Sequence, residues 1–184
     1  TVAMGITYTL FYVLGTWSLS YGVKGLGFQQ SEYLLLQMVS VVFFAIFIVV
    51  SCVYADKVGR KKVLLAVTAA TLVFSFFTPF LLVHSAAHIL VFLCIGFVLM
   101  GGLFGPCGAY LPELFPVHVR YSGAGLSYNL AAIFGGAFAP TIAQALVNSK
   151  FGVAGVGWYM AIMAALALLA LFLIKESKDK DYEL

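Results

Sequence analysis

Charged side chains are scarce in this sequence, and their scarcity excludes a soluble protein. Only 9% of the 184 residues are Asp, Glu, Lys or Arg, whereas 63% are hydrophobic. Soluble domains are usually about 45–50% apolar and about 25% charged. A soluble chain of this length would have too few charged residues to cover its surface. The mean hydropathy of +1.06 indicates an integral membrane protein.

Motifs for catalysis, metal binding and nucleic-acid binding are also missing. The three cysteines, Cys52, Cys94 and Cys107, have no CxxC spacing and are interpreted as small packing residues. No HExxH, GxSxG or paired intramembrane carboxylates occur, so we expect no catalytic residue and no enzyme. The basic residues are not interleaved with aromatics, which argues against a nucleic-acid partner. His84 and His88 have metal-ligand spacing but no third ligand, so no metal and no cofactor are expected.

Six apolar runs are long enough to cross a membrane. A bilayer core of about 30 Å requires about 20 apolar residues in a helix. The sequence therefore predicts an all-α integral membrane bundle over residues 1–174, followed by a cytoplasmic tail at 175–184. The predicted spans are approximately 3–21, 33–54, 63–83, 89–111, 124–147 and 158–174.

The basic residues predict how the bundle is oriented. Only Lys24 and Lys150 fall on one side of the six spans. The other eight Lys and Arg fall on the opposite side: Lys57, Arg60, Lys61, Lys62, Arg120, Lys175, Lys178 and Lys180. Because loops rich in Lys and Arg stay in the cytoplasm, we expect both termini of this segment there.

Small residues and prolines predict where helices pack closely and where they bend. Gly101 and Gly105 stand four residues apart, and Gly135 lies in a similar series of small residues. Such spacing lets the backbones of membrane helices approach each other. Pro106 and Pro140 each remove a backbone hydrogen bond and should bend the fourth and fifth spans. The third and sixth spans carry few polar groups, so we expect them at the periphery and the other four spans around a cavity.

Two loops concentrate the charges on the basic side. In the first, Asp56-Lys57-Val58-Gly59-Arg60-Lys61-Lys62, Gly59 permits a tight turn. Asp56 ends a helix, where the helix dipole disfavours a carboxylate, so its partner is either Arg60 or the N-terminus of a neighbouring helix. In the second loop, residues 112–123, Glu113 can pair with Arg120 or with Arg60 and so form a latch between the helix ends on this side. The alternative for the first loop is a solvated basic anchor.

These loops resemble those of a known transporter family. Residues 56–62 resemble the loop signature of the major facilitator superfamily, and residues 112–123 resemble its companion loop. The stretch Pro-Glu-Leu-Phe-Pro-x-x-x-Arg-Tyr-Ser-Gly-Ala-Gly is similar to the metabolite–proton symporter subfamily, which includes shikimate, proline/betaine and dicarboxylate transporters. One departure is Cys52, where the signature normally has glycine. The resemblance implies the C-terminal half, with its 3+3 inverted repeat, of a twelve-helix fold.

Uncharged polar side chains are the candidates for binding a solute. The resemblance implies a central cavity between two halves, near the middle of the membrane. Tyrosine hydroxyls and amides can hydrogen-bond a metabolite there, or they can bond neighbouring helices. Tyr21, Tyr33 and Tyr54 are assigned instead to the headgroup belt. The cavity candidates are Tyr8, Tyr12 and Thr16 in the first span, Gln37 in the second, and Tyr128 and Asn129 in the fifth.

The function that this resemblance implies is secondary active transport of a small organic metabolite, an organic acid or a zwitterion. Proton-coupled symport by alternating access in a bacterial inner membrane is expected, with the proton as coupling ion. No Asp, Glu, Lys or Arg lies in the middle of a span, so the proton carrier is Glu32, Glu113 or a residue of the other half. An uncoupled facilitator, a channel or a scaffold subunit is the alternative.

The expected partners are the metabolite, membrane lipid and the missing N-terminal six-helix half. The chain begins at Thr1 and not at methionine, so we expect further sequence upstream. Whether the two halves share one chain stays open.

Overall fold

A computed structural model describes residues 1–174, and six helices form this part of the protein. All six are long and apolar enough to cross a membrane, and no strand occurs among the described residues. The all-α, six-helix prediction is confirmed, whereas the predicted tail at 175–184 lies outside the described residues. The helices are α1 (Val2–Lys24), α2 (Gln30–Val58), α3 (Arg60–Leu81), α4 (Ala86–Glu113), α5 (Val117–Val147) and α6 (Gly152–Leu173).

The most buried of the six helices is α1. It packs against α4, α5 and α6, whereas α2 packs mainly on α4 and α3 packs mainly on α6 and α4. In the most apolar window of each helix, 56% of residues are buried in α1 but only 17% in α2. A membrane protein does not need to bury apolar side chains against itself, because lipid covers them equally well. The outer helices can therefore leave long apolar faces uncovered.

A single glycine separates α2 from α3. Gly59 has a φ of 114°, which L-residues rarely adopt, and it immediately follows Val58 and precedes Arg60. Glycine has no Cβ and tolerates this conformation without strain. The tight turn indicated by the sequence is therefore present at Gly59.

The contact between α2 and α4 depends on two glycines. A Cβ added at Gly101 would lie 2.7 Å from the carbonyl oxygen of Phe44, and one added at Gly105 would lie 2.7 Å from that of Ile48. Ser51 Oγ also donates a hydrogen bond of 3.2 Å to the Gly101 carbonyl oxygen. The two backbones approach this closely because neither glycine carries a side chain.

Two helices are interrupted by π turns, in which each carbonyl is paired one residue further along the chain than in an α-helix. They lie at Val13–Trp17 in α1 and at Ile133–Ala137 in α5. Pro140 follows the second turn closely, whereas α4 continues as α-helix through Pro106. Single π turns inside α-helices are frequent at functional sites.

Candidate functional site

One face of the most buried helix, α1, remains open. Tyr8 and Tyr12 are partly exposed there and Thr16 is exposed, whereas Leu10 and Leu14 on other faces are fully buried. The three polar side chains recur every four residues and therefore share one face of the helix. Most other side chains of α1 are packed against neighbouring helices, although Phe11 is 51% exposed, so this face is a polar part of α1 that a solute can reach.

A glycine of α5 makes room for the two tyrosines of this face. A Cβ added at Gly136 would lie 2.7 Å from the Tyr12 ring and 3.3 Å from Tyr8 Cβ. The Tyr12 ring and the base of the Tyr8 side chain thus lie against the π turn of α5. The structure brings Tyr8 and Tyr12 together with the fifth span, which carries the candidates Tyr128 and Asn129.

The π turn of α1 is held by a side chain of α2. Gln37 Nε2 donates hydrogen bonds of 2.8 Å to the Leu14 carbonyl oxygen and 3.0 Å to that of Gly15. Ser18 Oγ also donates to the Leu14 carbonyl. Gln37 is only 8% exposed, so its amide is hydrogen-bonded to the backbone of α1 and is not open to a cavity. The sequence left two roles open for Gln37, hydrogen bonding to a metabolite or to a neighbouring helix, and the structure shows the bond to a neighbouring helix.

The π turn of α5 has a corresponding partner in α1. Thr9 Oγ1 lies 2.6 Å from the Gly135 carbonyl oxygen and 3.0 Å from that of Gly5, and Thr9 is fully buried. A Cβ added at Gly135 would lie 2.4 Å from the Gly5 carbonyl oxygen. Thr9 was not expected from the sequence as part of this site, although its position four residues after Gly5 and off the tyrosine face was a usable signal.

The two remaining cavity candidates lie on different sides of α5. Tyr128 donates a hydrogen bond of 3.3 Å from its hydroxyl to the Cys107 carbonyl oxygen and so links α5 to α4. Asn129 is exposed, and its amide donates to the Gly125 carbonyl of its own helix at 2.8 Å. Asn129 is therefore accessible at the surface of this bundle, whereas the Tyr128 hydroxyl is engaged in packing.

The assignment of Tyr33 to the headgroup belt is wrong. Tyr33 is 0% exposed, and its ring occupies the space beside Gly22, where an added Cβ would lie 2.2 Å from it. Tyr21 is partly exposed and stacks on Trp17, while Tyr54 is exposed as the belt assignment requires. The Tyr33 ring is buried because Gly22 has no side chain and leaves space for the ring inside the bundle.

A second cluster joins three helix ends through Arg60. Its guanidinium donates to Asp56 Oδ1 at 3.0 and 3.2 Å and also to Glu113 Oε1. Of the two partners considered for Glu113, the structure has Arg60, and Arg120 Nε instead donates to the Phe115 carbonyl oxygen at 3.4 Å. The Arg60 and Glu113 side chains are 29% and 24% exposed, whereas Asp56 is 62% exposed. The pair with Glu113 is therefore less screened by solvent than the pair with Asp56.

The next residue connects the same loop to α6. Lys61 Nζ donates a hydrogen bond to the Ile174 carbonyl oxygen, just beyond the last residue of α6. A cation is favourable at the C-terminus of a helix, where carbonyl groups lack intrahelical partners. Arg60 and Lys61 together tie the ends of α2, α4 and α6 to the first turn of α3.

The charged groups of the described part of the chain all lie at helix ends or in loops. Glu32 is exposed in the first turn of α2, and Glu113 is in the last turn of α4. Within residues 1–174, no group of three or more His, Cys, Asp or Glu side chains is arranged to hold a metal ion.

Sequence comparison identifies the family. The family model of the Major Facilitator Superfamily matches residues 1–183. The chain belongs to this superfamily. It is 42% identical to the inner membrane metabolite transport protein YhjE of Escherichia coli, over 98% of this chain and 42% of that protein. It is 30% identical to a citrate-proton symporter of Klebsiella pneumoniae, over 91% of this chain and 38% of that protein. The chain thus spans less than half the length of these relatives.

Membership of this superfamily accounts for the six-helix bundle. The chain is a multi-pass membrane protein that forms a six-helix half of the superfamily fold. The relatives are named as transport proteins and symporters, and the expectation that this chain is no enzyme agrees with those names. No solved structure matches the chain significantly.

Proposed function

We propose that this chain forms half of a secondary transporter for a small organic acid or zwitterion. The observation that carries the proposal is the open face of α1, which presents Tyr8, Tyr12 and Thr16 on the most buried helix of the bundle. Binding sites of secondary transporters lie near the membrane midplane, between two repeats or halves. A second six-helix half would cover this face and close a cavity over it.

The chemistry of the open face suits carboxylate and hydroxyl groups. Tyr8, Tyr12 and Thr16 supply hydroxyl donors, and Asn129 supplies an exposed amide. Uncharged donors can bind an organic acid or a zwitterion without leaving a buried charge unpaired after release. The names of the relatives support this substrate class, since they include a citrate-proton symporter and, at 26% identity, a proline/betaine transporter.

We further propose that transport is coupled to protons and that the proton carrier lies outside the helix centres described here. Glu32 is an exposed candidate at a membrane boundary, and Glu113 is already paired with Arg60. The other half of the transporter is the remaining location for the carrier. In this proposal the protein resides in a bacterial inner membrane, with the Arg60 cluster and both ends of the segment on the cytoplasmic side.

The Arg60 cluster acts in this proposal as a latch at the cytoplasmic mouth. Its ion pairs join the ends of α2 and α4 at the start of α3, so they favour the arrangement in which these ends are close. In an outward-open state the latch is closed, and it opens when the cavity faces the cytoplasm. The lower exposure of Glu113 makes its pair with Arg60 the stronger of the two.

Uptake by the complete transporter in proteoliposomes tests the substrate proposal. Radiolabelled citrate, shikimate, proline and betaine would be offered with and without an inward proton gradient. Tyr12→Phe removes one hydroxyl and should raise the KM of the transported compound about five-fold, since one hydrogen bond contributes about 1 kcal/mol. Tyr54→Phe is the matched control, because Tyr54 is exposed near the end of α2. An unchanged KM in Tyr8→Phe and Tyr12→Phe would contradict binding at this face, and uptake indifferent to the proton gradient would indicate an uncoupled facilitator.

A further inference from the structure

The hydroxyl of Thr9 has two carbonyl oxygens within reach but only one proton to donate. Its Oγ1 lies 2.6 Å from the carbonyl oxygen of Gly135 in α5 and 3.0 Å from that of Gly5 in its own helix. A threonine hydroxyl is a single donor, so the two contacts compete for it. The bond to Gly5 is the local alternative that threonine has inside a helix, whereas the shorter contact crosses to α5. The Gly135 carbonyl is therefore the main acceptor.

The carbonyl of Gly135 needs a donor from outside α5. Gly135 lies inside the π turn at Ile133–Ala137, where a carbonyl pairs with the N–H group five residues later. The residue five positions after Gly135 is Pro140, which has no N–H group. Thr9 is fully buried and supplies the donor from α1. An unpaired carbonyl would be costly here, because the interior of a membrane offers no other donor.

The same peptide group lies against the Tyr12 ring. The carbonyl of Gly135 and the nitrogen of Gly136 belong to one planar peptide group, so a bond that fixes the oxygen also fixes the direction in which the chain reaches the Gly136 Cα. A Cβ added at Gly136 would lie 2.7 Å from two atoms of the Tyr12 ring. Neither glycine has a side chain that restricts its backbone, so the orientation of this peptide depends on its contacts with α1.

We propose that Thr9 is a positioning residue for Tyr12. Its hydroxyl holds the peptide between Gly135 and Gly136, and this peptide in turn holds the Tyr12 ring at the open face of α1. Thr9 is buried and does not touch the solute itself. Each of these contacts lies between α1 and α5, so none of them depends on what covers the open face. The proposal rests on the proposed function in one respect only, namely that Tyr12 binds the solute.

Fluorine NMR of the complete transporter in detergent micelles tests the positioning without any transported compound. A fluorotyrosine at position 12 reports the surroundings of that ring. Thr9→Val removes the hydroxyl and should shift or split the fluorine resonance, whereas Thr9→Ser keeps the donor and should retain the wild-type resonance. Thr7→Val is the matched control, because Thr7 is also a buried threonine of α1 but its hydroxyl has no hydrogen-bond partner within residues 1–174. This control should leave the resonance in place.

Uptake kinetics in proteoliposomes separate a positioning role from a merely structural one. With the transported compound among citrate, shikimate, proline and betaine, Thr9→Val should raise KM about three-fold and leave kcat unchanged. This factor corresponds to about 0.6 kcal/mol, the average contribution of a hydrogen bond between membrane helices. In the Tyr12→Phe background, Thr9→Val should raise KM no further, because both changes act through the same side chain. Thr9→Ser should restore the wild-type KM.

Three results would overturn the proposal. An unmoved fluorine resonance in Thr9→Val, or equal shifts in Thr9→Val and Thr7→Val, would show that the Thr9 hydroxyl does not position the Tyr12 ring. A KM that rises in Tyr12→Phe but not in Thr9→Val would show that the positioning has no effect on binding. Losses in KM that add fully in the double variant would indicate a general structural effect. An unchanged KM in Tyr12→Phe itself contradicts the proposed binding role of Tyr12, and the fluorine resonance then decides on Thr9 alone.

Discussion

Gly135→Ala tests the close crossing of α1 and α5 on which the open face depends. The added Cβ would lie 2.4 Å from the Gly5 carbonyl oxygen and 2.7 Å from Gly5 Cα. Carbon and carbonyl oxygen normally stay about 3.3 Å apart or more. The two helices must therefore separate by about 1 Å, because both nearest atoms belong to the backbone and cannot rotate away.

The expected cost of this separation follows from overpacking and from one hydrogen bond. Overpacking typically costs about 1–3 kcal/mol. The separation also stretches the 2.6 Å contact of Thr9 Oγ1 with the Gly135 carbonyl oxygen, and such a bond in a membrane contributes about 0.6 kcal/mol. Replacing glycine by alanine in a helix gains at most about 1 kcal/mol. The net loss is about 1–2 kcal/mol, or roughly 2–8 °C in the unfolding midpoint for a protein of this size.

Thermal unfolding in detergent, followed with a thiol-reactive dye, measures this loss. Cys107 is buried in the native bundle and becomes reactive when the helices separate. Gly125→Ala is the matched control, since Gly125 is also a helical glycine of α5 but an added Cβ there has nothing within 4 Å. We expect the control to keep or slightly raise the wild-type midpoint. Midpoints of Gly135→Ala and Gly125→Ala that agree within about 1 °C would refute the close crossing.

Three further predictions concern the other contacts. Gln37→Leu leaves the α1 carbonyls without their donor and should lower the unfolding midpoint and the uptake rate. Full activity of Gln37→Leu would contradict the role of Gln37 in holding the π turn of α1. Glu113→Gln should reduce uptake several-fold, because it removes the charge that pairs with Arg60. Membrane insertion, checked by surface labelling, should stay normal, and uptake equal to wild type would remove the latch. Gly105→Val should destabilise the α2–α4 contact by about 1–3 kcal/mol, measured as a lower unfolding midpoint, whereas Gly108→Val should not; equal midpoints would contradict backbone packing at Gly105.

Much of the architecture was predictable because it depends on composition and spacing. Runs of about 20 apolar residues predict helices in a bilayer, where every backbone polar group needs an internal partner. The four-residue spacing of Gly101 and Gly105 predicted a close helix contact for the same elementary reason, since residues four apart share a face. Both features are local properties of one segment.

The contacts between distant residues were less predictable. Glu113 had two possible arginine partners in the sequence, and only the folded arrangement of three helix ends selects Arg60. Tyr33 stands at the start of a span like other headgroup tyrosines, but a glycine eleven residues earlier provides a buried place for its ring. The π turns have no proline inside them, and their stabilising partners, Thr9 and Gln37, come from neighbouring helices.

The single-residue connection at Gly59 has a mechanical consequence. Only Gly59 separates α2 from α3, so a displacement of the end of α2 also displaces Arg60 and Lys61, the two residues that follow Gly59. These side chains bind the ends of α4 and α6. We therefore expect the end of α2, the start of α3 and the ends of α4 and α6 to move together as one rigid unit. Internal deformation of this half is then concentrated elsewhere, in the interrupted helices α1 and α5, where a change of one residue in hydrogen-bond pairing can bend the chain without unfolding it.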